Sequence, residues 1–265
     1  MKILYLILGT KKSPWQDVEL IQKKTWVSKA GENDIVRYVY GDGSLGFSSE
    51  DPTDFHQTKL GEIDEPLIIG EPVTVSDQSW TFRSVSGWGE LTTNTVSAMK
   101  YALKELDFDF LIRTNISSYW NMAATRKMLM QFSSKNIYAG KKWTLYHDHS
   151  IEYVAGYGII FSRDVVARVV ENYKLVDPRI IDDVGLSLAI SQLQVDILDL
   201  DQPIFETVSD VKNFDLSRLN RTHAFRCKSE VLNSNNEIIR NDGAIFIEIH
   251  RRLRFGWLYR LRILR

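Results

Sequence analysis

The strongest constraint on this chain is the stretch of residues 108–121, which reads FDFLIRTNISSYWN. It begins as a β-rich apolar run and turns polar at Arg113, Thr114 and Asn115. A buried strand whose carboxyl end breaks into small polar residues is where an open α/β sheet usually places its ligand. An ordinary strand end followed by a turn gives the same local pattern, so the surrounding sequence has to decide between the two interpretations.

Strand and helix patterns alternate along most of the chain. Apolar runs predict strands over residues 2–8, 35–40, 66–75, 108–112, 136–139, 153–161 and 195–200. Helical periodicity predicts helices over residues 17–26, 90–106, 122–132, 163–173 and 182–193, with Ser162 as the N-cap of the fourth. This alternation predicts an α/β fold, a three-layer α/β/α domain with a mostly parallel central sheet. No internal repeat or domain-sized linker interrupts it, so we expect one domain over residues 1–250 and a separate tail over 251–265.

Cysteine content and the apolar N-terminal run bear on the compartment. Cys227 is the single cysteine and cannot form an internal disulfide, so nothing indicates an oxidising compartment. The apolar run at residues 3–8 is too short for a signal-peptide core or a membrane span. We therefore expect a cytoplasmic protein of bacterial or viral origin.

Residues 251–265 form a cationic tail on an acidic body. They carry six arginines and no acid, which leaves 27 basic against 34 acidic residues in the rest of the chain. The arginines are mixed with Leu, Phe, Trp and Tyr, and the pattern leaves helix and strand both open. Either form could lie peripherally on the anionic inner face of a membrane, and docking on the acidic body or on another subunit is the alternative. The acidic body disfavours nucleic acid as a partner.

Two adjacent carboxylates, Asp182 and Asp183, stand at the predicted start of a helix. The helix dipole favours acids there, but capping the helix needs only one. A second acid after Ile180 and Ile181 is typical of a general base held at the edge of a pocket. Two like charges this close tend to raise the pKa of one carboxyl, which tunes that group as a base.

Residues 156–158, Gly-Tyr-Gly, lie within a predicted strand. Glycines there would let a ligand approach the backbone closely. They are equally suited to a strand that packs tightly under a helix.

Basic side chains alternate near the end of the body, at His223, Arg226 and Lys228. On an extended chain Arg226 and Lys228 face the same way. They could clamp an anion such as a diphosphate, or form a solvated basic strand.

Together these segments resemble the β-1,3-galactosyltransferase and Fringe-like glycosyltransferases, a family with the GT-A fold that uses nucleotide sugars. The similarity covers residues 1–228, and its motifs follow the family's order. They are Lys24-Thr25-Trp26, the helix start at residues 90–95, the central stretch 110–121, YVAGYGIIFSR at 153–163, and Asp-Asp-Val-Gly at 182–185.

The resemblance implies an inverting transfer of a sugar from a nucleotide-sugar donor, expected to be UDP-linked, to a hydroxyl of a glycan or glycolipid. Asp183 would be the general base, with Asp182 beside it. The residues expected to bind the donor are Gly9, Thr10, Lys11, Arg113, Thr114, Asn115, Ser117, His223, Arg226 and Lys228. Those expected at the acceptor are Trp88, Gly156, Tyr157 and Gly158.

The sequence departs from the family at its metal site. Where the family has three aspartates that hold a divalent ion, this chain has Asn115, Ile116 and Ser117, which are poor ligands for Mn²⁺ or Mg²⁺ without a carboxylate beside them. Asn94 also replaces a lysine of the helix-start motif. Either another group near Ser117 and His223 supplies the metal ligands, or cations replace the metal; we expect Arg226 and Lys228, with His223, to neutralise the leaving diphosphate. The alternative function is a catalytically silent nucleotide-sugar or carbohydrate-binding protein on the same fold.

Overall fold

A computed structural model describes residues 1–45, 67–84, 89–145, 149–232 and 238–263. The chain divides into two compact units. The first comprises Met1–Thr10, Glu32–Asn115 and Ser133–Leu200, and the second comprises Lys11–Gly31, Ile116–Phe132 and Asp201–Arg265.

The strands and helices follow in chain order. The strands are β1 (Ile3–Leu8), β2 (Asp34–Gly41), β3 (Pro72–Val75), β4 (Ser79–Phe82), β5 (Phe110–Asn115), β6 (Ser118–Trp120), β7 (Tyr138–Gly140), β8 (Lys142–Thr144), β9 (Glu152–Val154), β10 (Gly158–Ser162), β11 (Ile197–Asp199), β12 (Ile204–Phe205), β13 (Ala224–Cys227), β14 (Glu230–Leu232) and β15 (Ile238–Arg240). The α-helices are α1 (Trp15–Lys24), α2 (Gly89–Glu105), α3 (Met122–Leu129), α4 (Arg163–Glu171), α5 (Asp182–Gln192), α6 (Val208–Asn213), α7 (Leu216–Arg221) and α8 (Asp242–Ile263).

The first unit is built on an eight-stranded sheet with the order β11-β7-β10-β5-β1-β2-β4-β3. The pairs β1–β2, β1–β5, β2–β4 and β7–β11 are parallel. β10 runs antiparallel to both β5 and β7, and β3 runs antiparallel to β4. The predicted α/β class with a mostly parallel central sheet is confirmed.

The core of this unit lies between the sheet and its helices. β1 is buried along its whole length because it sits between β2 and β5. Side chains in a strand alternate between faces, so Leu4, Leu6 and Leu8 point the same way, into a core that also holds Met99 of α2 and Val166 of α4.

The central strand extends further than predicted. Arg113, Thr114 and Asn115 belong to β5, where the sequence predicted a turn. Arg113 lies opposite Leu6 on one side and Ile159 on the other. β1 pairs with all three residues, and β10 pairs with Arg113 and Thr114, which the local pattern could not reveal.

Ser162 is the N-cap residue of α4, as predicted, although its side chain does not cap the helix. Its hydroxyl accepts a hydrogen bond from the Ile137 N–H at 2.9 Å and makes no capping bond to the helix. The residue before β7 therefore uses the oxygen that could have capped the helix.

The second unit contains a three-stranded sheet, in the order β12-β13-β6, together with α1, α3, α6, α7 and α8. The Trp26 side chain is fully buried in this unit and donates from Nε1 to the Ser118 carbonyl at 3.1 Å. Thr25 donates to the Ile21 carbonyl at 2.8 Å, at the end of α1. The early Thr-Trp pair therefore has a structural role in its own unit.

The tail is helical through residue 263. The sequence had allowed either a helix or a strand there. α8 begins at Asp242 and continues without a break to Ile263. Ile245, Phe246 and Ile249 are buried where the helix packs against α1 and α6. Within the parts of the chain that the structure describes, no helix combines the length and apolar character needed to cross a membrane.

Candidate functional site

Polar groups from three elements of the first unit come together at the carboxyl end of β5. The other two elements are the residues that lead into β10 and the first turn of α5. Thr114 lies opposite Gly158 in the antiparallel pair of β5 and β10, and its hydroxyl donates to the Tyr157 carbonyl at 2.8 Å. The sheet thereby places the predicted central stretch beside the predicted Gly-Tyr-Gly segment.

Arg113 is the centre of this cluster. Its guanidinium donates to the carboxylate of Asp182, to the carbonyl of Gly156, and to Oδ1 of Asn115 at 2.9 Å. The side chains of Arg113 and Asp182 are only 1% and 4% exposed. A guanidinium stays protonated in proteins, so this is a buried ion pair.

This geometry changes the role that the sequence suggested for Arg113. Both terminal nitrogens are directed at groups of the protein, where we expected them to bind the donor. Arg113 instead neutralises Asp182 and fixes it at the start of α5. Asp182 is therefore a structural partner of Arg113, and the neighbouring Asp183 makes different contacts.

Asp183 lies at the edge of the cluster and is only partly buried. Its Oδ2 accepts from the Gly156 N–H and its Oδ1 from the Val184 N–H, each at 2.9 Å. Burial, with the negative charge of Asp182, raises the pKa of Asp183 to about 6, although the two N–H groups and Arg113 act in the opposite direction. A carboxylate fixed in one orientation and more basic than usual is suited to take a proton near neutral pH.

Gly156 has no room for a side chain. A Cβ there would lie 2.8 Å from Nη1 of Arg113 and 3.2 Å from Oδ2 of Asp183. The sequence suggested that this glycine lets a ligand approach. The structure shows that it lets the backbone contact both charged groups.

Ser187 and Tyr138, which the sequence did not single out, form a hydrogen-bonded chain that ends on the backbone of Asp183. The Ser187 hydroxyl donates to the Asp183 carbonyl at 2.7 Å, so it accepts from the Tyr138 hydroxyl, 2.6 Å away. It also accepts from the Val154 N–H at 3.1 Å. The only available sequence signal was that Ser187 follows Asp183 by one helical turn.

The other residues predicted for this region differ in their exposure to solvent. Tyr157 and Gly158 are buried, which leaves little of the tyrosine for an acceptor. Trp88 lies outside the described residues. Gly9 and Thr10 follow β1 and are partly exposed, and the Gly9 N–H donates to the Val39 carbonyl.

The remaining donor residues belong to the second unit. Lys11 is exposed at the start of that unit. Ser117 is buried, and its carbonyl accepts from the Cys227 N–H at 2.9 Å. Arg226 lies in β13 opposite Ser118 and is partly exposed.

Lys228 is exposed and lines an open cavity of about 380 Å³ in the second unit. The other lining residues are Glu206, Thr207, Val208, Ser229, Asn241 and Ile245. The cavity could hold a polar ligand, with Lys228 as its cationic group.

His223 does not supply the positive charge that the sequence suggested. It is buried, and its Nε2 lies 3.2 Å from Nε2 of Gln202. Burial lowers the pKa of His223 to about 4, against the opposing effect of Asp201, so the imidazole is neutral at pH 7.

The residues at the family's metal position do not fit a divalent cation. Asn115 and Ser117 offer no carboxylate, and the Asn115 carboxamide oxygen accepts a hydrogen bond from the Arg113 guanidinium. Among the described residues, no three His, Cys, Asp or Glu side chains come together in a group that could hold a metal ion. Hard cations prefer several oxygen ligands, most of them carboxylates.

Comparison of the sequence with models of known protein families and with curated proteins gave no match.

Proposed function

We propose that this chain is an inverting glycosyltransferase of GT-A type, which moves a sugar from a nucleotide-sugar donor to a hydroxyl of a glycan or glycolipid. One observation carries the proposal. Asp183 is a residue of intermediate exposure whose carboxylate has a pKa of about 6 and is held in place by two backbone N–H groups. It occupies the position that the resemblance assigns to the general base.

In the proposed reaction, Asp183 takes the proton of the acceptor hydroxyl as the acceptor oxygen bonds to the anomeric carbon. The bond between that carbon and the diphosphate oxygen breaks, its electron pair leaves with the nucleotide diphosphate, and the anomeric configuration inverts. Each carboxylate oxygen has two lone pairs, so one remains available after each accepts a backbone N–H. Below pH 6 the base is increasingly protonated, and the rate should fall.

The leaving diphosphate needs positive charge. Within the second unit, we propose that Arg226 and Lys228 bind such an anion. Within the first unit, we propose that Gly9 and Thr10, which follow β1, contact the donor. His223, which is neutral, is no longer part of this group. The poor fit of Asn115 and Ser117 to a divalent ion supports a reaction that does not depend on one. UDP-linked sugars remain the donors that the resemblance favours.

The base is tested by Asp183→Asn, which keeps the shape of the side chain and removes its basicity. We expect transfer to fall by about 10²–10⁴-fold while donor binding is retained. Release of nucleotide diphosphate would measure turnover, and thermal shift would measure donor binding. Asp77→Asn, at an exposed aspartate of the same unit, is the matched control. Unchanged turnover in Asp183→Asn would remove the proposed base.

The same assays with a panel of nucleotide sugars, in Mn²⁺ and in EDTA, test the cationic residues. We expect activity to survive EDTA, and we expect Arg226→Ala to weaken the thermal shift that a nucleotide diphosphate produces. Strict dependence on Mn²⁺ would contradict the assignment of Arg226 and Lys228.

A silent binding protein is the second candidate, and the same replacement of aspartates by Asn115 and Ser117 favours it. It predicts that a donor or a glycan stabilises the protein without turnover under any condition. The partly exposed, basic Asp183 favours the enzyme, because a binding protein needs no such group.

We also propose that α8 attaches the protein to an anionic membrane surface. The residues from 251 onward combine six arginines with large apolar residues, and the helix continues through most of them. Such a helix would bring the enzyme close to lipid-linked acceptors.

A further inference from the structure

The β8–β9 hairpin of the first unit has two chemically different faces. Trp143 pairs with Tyr153, while Thr144 pairs with Glu152. Because side chains alternate along a strand, the two aromatic rings share one face. The opposite face carries the ion pair of Lys142 and Glu152, whose charged atoms are 2.7 Å apart.

The aromatic face is open to solvent. Trp143 is 42% exposed and is the most exposed tryptophan among the described residues. Its ring meets that of Tyr153 edge to face, with 6.4 Å between the centroids and 71° between the planes. This contact holds the indole on one side, and 42% of the surface of Trp143 stays open to solvent.

Tyr153, on the same face, lies near the proposed base Asp183. Tyr153 packs against Ile180 and Val184, on either side of Asp183. Burial, together with the negative charge of Asp183, raises the pKa of Tyr153 to about 12, so its hydroxyl stays protonated. Three residues after Tyr153, the Gly156 N–H donates to the Asp183 carboxylate.

We propose that Trp143 and Tyr153 form a platform for the acceptor, and that it binds a pyranose ring of a glycan through the ring's C–H face. This inference rests on the proposed function, because it takes Asp183 as the base. A pyranose has C–H bonds clustered on one face and hydroxyls around its edge. Stacking the C–H face on the exposed indole leaves the hydroxyl edge for the Tyr153 hydroxyl and the Asp183 carboxylate.

The assignment to the acceptor follows from the chemistry of Asp183. The group beside a general base is the one whose hydroxyl loses its proton, and that group is the acceptor. The donor's diphosphate requires cations. The cation of Lys142 lies on the opposite face, and that of Lys141 lies 3.5 Å from a carboxylate oxygen of Asp199.

Trp143→Ala and Trp143→Phe test the platform, with Met130→Ala as a control at an exposed apolar residue of the second unit. Saturation-transfer NMR against a panel of oligosaccharides would report glycan binding without any need for turnover. In Trp143→Ala we expect glycan affinity, and the ratio of transfer to donor hydrolysis, to fall about five- to tenfold. Trp143→Phe should recover most of the loss, and Met130→Ala should behave as the unmodified protein.

The outcomes separate this inference from the proposed function. Glycan binding that needs Trp143, in a protein without transferase activity, would keep the platform and reject the enzyme. Equal glycan binding in Trp143→Ala and the unmodified protein would overturn the platform, as would binding of no oligosaccharide by the unmodified protein. A loss of donor hydrolysis as large as the loss of transfer would place Trp143 at the donor and overturn its assignment to the acceptor.

Discussion

Asp182 and Asp183 are neighbours in sequence with opposite environments. Asp182 is buried against Arg113 and has its charge neutralised there. Asp183 is partly exposed, bonded to two backbone N–H groups, and more basic than an ordinary aspartate. The two carboxylates therefore differ in what they can do. Asp182 holds the start of α5 in place through its ion pair, whereas the raised pKa of Asp183 suits that group to accept a proton.

The raised pKa of Asp183 predicts how stability depends on pH. In the unfolded chain this carboxyl loses its proton near pH 3.8, and in the folded protein near pH 6. Between these values the folded state binds more protons than the unfolded state, so the free energy of unfolding should fall as pH rises from about 4 to 6. Asp183→Asn should lack this component of the pH dependence. Urea unfolding of both proteins across this range is the measurement, and parallel pH profiles would contradict the raised pKa.

At the scale of elements, the Arg113–Asp182 pair ties the central strand to α5. Arg113 lies in β5, Asp182 begins α5, and the Gly156 carbonyl joins the same guanidinium from the residues before β10. The position of Asp183 depends on this junction, because the backbone of Gly156 contacts both charged side chains.

Breaking one half of the pair should destabilise the whole junction. We expect Arg113→Met to lower the free energy of unfolding by about 3–5 kcal/mol, because Asp182 would remain buried and charged without a partner. The double variant Arg113→Met/Asp182→Leu should recover most of that loss, because it leaves no unpaired charge. Urea unfolding of the two variants is the test, with Lys142→Met at an exposed ion pair as the control. A double variant as unstable as Arg113→Met would show that the pairing of charges is not the cause.

At the scale of the molecule, charge is unevenly distributed between body and tail. The chain has a net charge of −1, yet residues 251–265 carry six arginines and the rest of the chain has an excess of acids. α8 extends from the core of the second unit through residue 263. The same helix therefore belongs to the fold at its start and carries most of the cationic segment at its end.

This asymmetry predicts binding to anionic vesicles. Each arginine near such a surface contributes about 1 kcal/mol, so replacing Arg260, Arg262 and Arg265 by Glu should lower the partition coefficient by on the order of 100-fold or more. Sedimentation with phosphatidylglycerol vesicles is the measurement, and binding should also weaken as salt is added. Equal binding to neutral phosphatidylcholine vesicles would contradict an electrostatic attachment.

Local patterns in the sequence predicted much of the first unit. Strands β1 and β2 and helices α2, α4 and α5 lie within a few residues of their predicted bounds, because their apolar periodicity reflects burial on one or both faces. The sequence did not predict the short strands and helices after residue 200. For residues 251–265 it allowed a helix or a strand, and the structure has a helix there through residue 263. Segments of two to six residues carry too little periodicity to be recognised, and only their packing within the second unit stabilises them.

The sequence by itself identified the candidate residues of the site, and the tertiary structure decided which groups each of them contacts. Asp182, Asp183, Arg113 and Gly156 were recognisable as polar or flexible residues at element ends. Their roles depend on contacts between residues 43 and 69 positions apart: Arg113 with the Gly156 carbonyl and with Asp182. The physical reason is burial, because a charge removed from water must find its partner wherever the fold has placed one. Arg113 is that partner, and its position sets which of the two adjacent carboxylates has its charge neutralised.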